Sequence, residues 1–183
     1  MRTLIAIGLA ILLIVGVSFL FRARSKKRAQ ARPDVYDGLR ARILQGTRPS
    51  FNLAPTTAPT VPWGVVMDWG VTEGSATVVA LSDGHASIYL SSGGGYLGGS
   101  QSHESIRNAA RAAVAAAAEF QPQMKLTSTF PLPRQGEVIF YLLTDEGVFT
   151  ASGPEQEMSG QQNKLSKLGN AMQLIITEYQ KIQ

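Results

Sequence analysis

Residues 63–90 read WGVVMDWGVTEGSATVVALSDGHASIYL, and the period of this stretch decides the fold. Trp63, Val65, Met67, Trp69 and Val71 alternate with smaller or polar residues. A repeat of two fits a strand with one heavily buried face. Thr72-Glu73-Gly74 turns the chain, and SATVVALS (75–82) follows as a second strand. Its centre is apolar on both faces, which places it inside a sheet. Asp83-Gly84 is the signal of a two-residue hairpin. It leads into HASIYLS (85–91), a third strand with Ala86, Ile88 and Leu90 facing inward. Strands joined this closely form an antiparallel meander.

Further along, Ser102 is the expected cap of a helix that runs to about Phe120, with Glu104 in its favourable first turn. Ile106, Ala109, Ala110, Ala113, Val114 and Ala117 make one stripe, small enough for the helix to lie close to the sheet, and Pro122 ends it. Residues 126–131 read as a fourth strand and Pro133-Arg134-Gln135-Gly136 as a turn. EVIFYLLT (137–144) is the most hydrophobic strand and therefore central; Asp145-Glu146-Gly147 turns it into VFTAS. A final helix, 156–181, carries Leu165, Leu168, Met172, Ile175, Tyr179 and Ile182 at steps of three and four. Gly160 and Gly169 each weaken it by roughly 1 kcal/mol. The expected class is α+β, an antiparallel meander sheet with two helices packed on it.

Over residues 63–183 the order is strands in a meander, a helix, strands in a meander, a helix. This order resembles the profilin-like group of folds, which includes roadblock and longin domains. The resemblance implies a scaffold for protein partners, often dimeric and on or near membranes. It lies in element order, with an extra strand before the first helix, so no functional residue carries over from it.

Towards the N-terminus the composition changes. TRPSFNLAPTTAPTVP (47–62) holds four of the nine prolines and reads as a stiff, extended linker. At about 3.1 Å per residue it would reach roughly 50 Å. DVYDGLRARILQ (34–45) reads as a short helix with Asp34 as N-cap, Val35, Leu39 and Ile43 on one side, and Gly46 at its end. Residues 3–21, TLIAIGLAILLIVGVSFLF, carry no charge. As a helix rising about 1.5 Å per residue they would span roughly 28 Å, close to the thickness of a bilayer core. The expectation is a transmembrane helix. A signal peptide cut after Ser18 competes with it, against bulky Phe19, Leu20 and Phe21 and the basic run RARSKKRAQAR (22–32).

Positive residues tend to remain cytoplasmic, so the N-terminus is expected outside and the C-terminal domain in the cytoplasm. Arg22, Arg24, Lys26, Lys27 and Arg28 are candidates for contact with lipid headgroups. The expected organisation is thus a single-pass anchor at 3–21, a basic juxtamembrane segment at 22–46, a linker at 47–62 and the α+β domain at 63–183. Residues 1–61 carry ten basic and two acidic side chains, and residues 62–183 carry seven and eleven. The net charge of +4 therefore divides into +8 and −4. A mildly acidic module would repel a phosphate backbone, so nucleic acid is not an expected partner.

With no cysteine, the chain has no disulfide, thiolate metal site or cysteine nucleophile, and two histidines are too few for a His-rich metal site. Gly93, Gly95 and Gly98 in SSGGGYLGGS (91–100) satisfy G-x-G-x-x-G between a strand and a helix. A dinucleotide fingerprint needs a parallel βαβ unit, which a meander does not supply. The free N–H groups at the helix start, with Arg107, still make these four residues a candidate anion site. The alternative is that the glycines serve only unusual backbone angles. His85 and His103 lie at opposite ends of the third strand and its loop and should not share a metal. Asp145 and Glu146 are ordinary turn residues, and no G-x-S-x-G elbow is present. Asp68, between Met67 and Trp69, is either a buried functional carboxylate or, as favoured, a residue on the solvent face. Trp63 and Trp69 are expected in the core. No catalytic residue, metal or cofactor is expected.

These features describe a membrane-anchored protein that presents a protein-interaction module at the cytoplasmic face and binds another protein or a second copy of itself. The alternative is a membrane-tethered sensor of a small anion or polar metabolite at residues 93–107.

Overall fold

Strands β1 (Gly64–Val71), β2 (Gly74–Leu81) and β3 (Ala86–Leu90) form the meander, antiparallel throughout. The structure is a computed structural model that describes residues 33–158 and 164–182. Val71 pairs with Gly74, whose φ of 127° closes the first turn. The second turn is one residue longer than the Asp83-Gly84 signal suggests. Leu81 N–H donates to His85 O at 2.8 Å and Gly84 N–H to Leu81 O at 2.9 Å, with Gly84 at φ 99°. That is a three-residue hairpin with glycine in the left-handed position.

A short strand not anticipated from the sequence, β4 (Gly95–Leu97), pairs with β3. On the other side of β1 lie β6 (Glu137–Thr144), β7 (Gly147–Pro154) and the edge strand β5 (Lys125–Thr127). The seven-stranded order is β4-β3-β2-β1-β6-β7-β5, so β1 sits at the centre between β2 and β6. Of the fourth strand expected over 126–131 only Leu126 and Thr127 are strand, in an element that begins at Lys125. Beyond it the chain leaves the edge, where Pro131 and Pro133 have no N–H to give a ladder.

The helices are α1 (Pro33–Leu44), α2 (Glu104–Phe120), α3 (Glu155–Met158) and α4 (Lys164–Lys181). His103, not Ser102, stands at the α2 N-cap, and its side chain makes no capping bond. The expected alanine-rich stripe of α2 is buried at every position. The single helix expected over 156–181 is replaced by α3 and α4, with 159–163 outside the described residues. Gly169 allows the two to approach, since a Cβ there would lie 3.2 Å from Met158 Cβ. Leu165, Leu168, Met172, Ile175 and Tyr179 are buried as expected, but Ile182 is not.

Strand parity sorts the core into two layers. Val65, Met67 and Trp69 of β1, with Val78, Ile88, Phe140 and Leu142, face α2 and α4. Val66, Val79, Tyr89, Ile139, Tyr141 and Leu143 face the other way, into a second cluster with Tyr36, Ile43 and Leu44 of α1 and with Leu53 and Trp63. A sheet that is apolar on both faces needs cover on both. Two helices on one face cannot provide it.

The expected architecture is therefore corrected. Among the described residues no helix is long and apolar enough to cross a membrane, and segment 3–21 lies outside them. What the structure describes is a seven-stranded antiparallel sheet with helices on both faces. Residues 33–62 belong to that fold and are not an extended tether ahead of it. A 3-10 turn, Arg48–Phe51, packs Phe51 5.6 Å from the Trp63 ring, and Leu53 is buried. Pro59 O accepts from Asp145 N–H at 3.0 Å, and Trp63 N–H donates to Leu143 O at 2.9 Å.

Candidate functional site

Asp68 lies in mid-strand, opposite Thr77 of β2 and Ile139 of β6. Its parity puts it on the face away from Met67 and Trp69, where the sequence reading expected solvent. Helix α1 covers that face, and Asp68 is fully buried. Arg40 of α1 donates to Asp68 Oδ2 from Nε at 2.8 Å and from Nη2 at 2.6 Å. Thr77 Oγ1 donates to Asp68 Oδ1 at 2.5 Å. Because that bond uses the one hydroxyl proton of Thr77, the Tyr36 hydroxyl 2.9 Å away must donate to Thr77.

The rest of the guanidinium reaches the β5–β6 connection. Nη1 donates to Phe130 O and Nη2 to Pro131 O, each at 3.0 Å. Pro131 O also accepts from the Tyr141 hydroxyl at 2.9 Å. The Tyr141 ring lies 5.7 Å below the Arg40 guanidinium and meets Phe130 edge-on at 5.6 Å. One arginine thus ties α1, β1 and the 128–136 connection into a single polar cluster inside an apolar layer. The close approach of that connection explains Gly70, where a Cβ would fall 1.8 Å from Arg134 O.

Burial pushes the Asp68 carboxyl above the usual carboxylate range, against the bonds from Arg40 and Thr77 that pull it down. Burial also pushes the Tyr141 phenol up to about 12 and raises Tyr36. Both phenols therefore stay protonated and act as donors. Every group in the cluster already has a protein partner. The arrangement fixes geometry, and its carboxylate is not presented to a substrate.

A second pair repeats the device. Arg48 Nε lies 2.7 Å from Asp145 Oδ2, and its Nη2 donates to Val61 O at 3.2 Å. Asp145, read as a turn residue, is the anchor of the 47–62 segment.

The glycine-rich loop is built for its backbone. Gly93, Gly94, Gly95 and Gly98 have φ of 99°, 87°, 141° and 73°. A Cβ on Gly95 would lie 2.0 Å from Ile88 O. Arg107, the cation offered to an anion in the sequence reading, donates from Nη1 to Ser100 O at 3.0 Å and to Gln101 O at 2.8 Å. The structure does bring Arg107 to the loop, as a clamp on its carbonyls. His85 Nδ1 sits 2.5 Å from Asp83 Oδ2, while His103 is at the α2 N-cap. Among the described residues no group of three or more His, Asp or Glu could hold a metal. Both tryptophans are core residues, as expected. Trp69 lines a cleft of about 10 Å³ with Met158, Asn170 and Gln173, room for about one water. Arg22, Arg24, Lys26, Lys27 and Arg28 lie outside the described residues.

Tyr36, Arg40, Thr77 and Tyr141 were missed as a group. Their signal was the spacing Tyr36, Arg40, Ile43 and Leu44, one helical face that the stripe Val35, Leu39 and Ile43 obscured. Val35 is half exposed, at 50%. Comparison of the chain with protein families, with curated proteins and with solved structures finds no match.

Proposed function

We propose that this chain is a non-enzymatic protein-interaction module working at the cytoplasmic face of a membrane. The observation that carries the reading is the placement of its protruding apolar side chains. Leu97 on edge strand β4 and Leu126 on edge strand β5 are each 65% exposed, at opposite ends of a sheet whose faces are covered. Single exposed leucines are common on protein surfaces. Two on the edge strands are placed where a partner can meet both side chain and backbone. The buried ionisable cluster, in turn, is fully engaged in holding α1, which suits a scaffold better than a catalyst. The membrane location rests on the sequence of residues 1–32, and the resemblance of the element order to the profilin-like group fits the same role.

The test is a photo-crosslinking residue placed at position 97, 126 or 174 of the full chain in cells, Leu174 being the exposed leucine of α4. The expected result is a discrete adduct from at least one position, identified by mass spectrometry as one protein or as a second copy. A folded chain that yields no adduct from any of the three overturns the reading. A reporter fused to the C-terminus checks the location, which fails if the reporter is active on the exported side.

A further inference from the structure

We propose that helix α1 is a releasable cover on the second face of the sheet, held in one register by the Arg40–Asp68 pair and able to lift away while the sheet stays folded. The inference concerns a different face from the strand edges and stands apart from the interaction reading. Three observations carry it.

First, the two layers of the core are separate. The α2 and α4 side holds Val65, Met67, Trp69, Phe140 and Leu142 and owes nothing to α1. The ladders that β1 makes with β2 and β6 use no residue of α1.

Second, the latch is polar. A buried ion pair selects one geometry but adds little net hold, because both charges recover their hydration when it opens. An apolar residue in place of Arg40 would lack that return. The pair therefore makes docking specific and release inexpensive.

Third, α1 is weakened where packing does not require it. Gly38 sits in mid-helix on the exposed side, and a Cβ there would meet nothing within 4 Å. Glycine at such a site only lowers helix stability. The opening has a natural end-point. Arg48 is pinned by Asp145 and by Val61 O, so the movement stops at residues 45–47 and the Trp63 segment remains in place.

Native-state hydrogen exchange on the full chain, followed by mass spectrometry with increasing sub-denaturing urea, tests this. Amides of 36–44 are expected to exchange at least tenfold faster than those of β1 and β6, with weaker urea dependence, and protection should rise again after Arg48. Gly38→Ala should slow exchange of α1 about fivefold, and Val114→Ala, in the layer that α1 does not touch, should speed exchange of β1 and β6 while leaving α1 unchanged. If α1 and β6 exchange at one rate with one urea dependence, or if Val114→Ala speeds both alike, α1 is part of a single cooperative unit and the proposal is wrong. Neither result bears on crosslinking at the strand edges.

Discussion

Removing one member of the buried pair should cost far more than removing both. Arg40→Met takes away the guanidinium and leaves the Asp68 carboxylate with only Thr77 as donor, inside an apolar layer. It also leaves Phe130 O without the Nη1 donor, while Pro131 O keeps Tyr141. Asp68→Leu does the converse, leaving a cation that is 8% exposed facing two carbonyls. Uncompensated buried charges of this kind cost about 3–5 kcal/mol. Both changes together replace the pair with apolar atoms and should return the protein to within about 1 kcal/mol of the original. The coupling in the double-mutant cycle is then about 5 kcal/mol or more. Urea unfolding of the full chain by tryptophan fluorescence is the assay, because Trp63 and Trp69 lie in different layers of the core. Release of α1 sets an upper limit on the single-variant cost, since lifting the helix lets water reach Asp68. In that case the loss equals the docking free energy of α1, and its amides lose their protection. An Arg40→Met chain that loses under about 1 kcal/mol with α1 still protected would refute the reasoning. So would single-variant costs that simply add in the double variant.

Two further predictions concern the loop and the phenols. Gly95→Ala should cost about 3 kcal/mol and Gly98→Ala about 1, because only the first drives a Cβ into a backbone oxygen. Equal losses in urea midpoint at the two positions would show that the loop is not read correctly. Tyr141 binds its proton more tightly in the folded chain, at about 12, than in the unfolded chain at the ordinary 10. Stability from this group is full below pH 10 and is lost as pH rises through about 12, and Tyr36 and Tyr89, both raised by burial, act in the same direction. Tyrosinate absorbance should accordingly lag behind free tyrosine until the fold gives way. A folded chain whose tyrosines all ionise at the free value contradicts this.

The period-two pattern of 63–71, the turn residues and the small-residue stripe of α2 were enough to place the meander, the sheet class and one layer of the core. Local chemistry dictated those elements. The second layer depended on contacts between residues far apart in sequence, and composition pointed the other way. Four prolines between 47 and 62 look like a free linker, yet Leu53, Phe51 and Trp63 pack together and Arg48 reaches across to Asp145. Proline-rich sequence sets a local preference for extended backbone; whether that backbone is free or docked is decided by what it meets. β6 held the missing signal. VIFYLL is apolar at six successive positions, which no sheet covered on one face would use.

Charge misled for a related reason. Arg40 and Arg48 were counted with the basic N-terminal part, as if every charge were solvated. Each is instead buried against an acid of the sheet domain. The division that matters falls after Arg32: residues 1–32 carry seven basic side chains and no acid, and residues 33–183 carry ten basic and thirteen acidic. Two anomalies stand together in the sequence. Asp68 stood alone in an apolar strand, and Arg40 occupied a helical position whose neighbours at four and three residues, Tyr36 and Ile43, are apolar. Taken singly, each charge was most simply assigned to solvent. Taken together, an acid in a strand with two apolar faces and a base in the apolar stripe of a helix imply each other, since neither can be buried without a partner of opposite sign. The pairing would have docked α1 on the sheet before any coordinate was known.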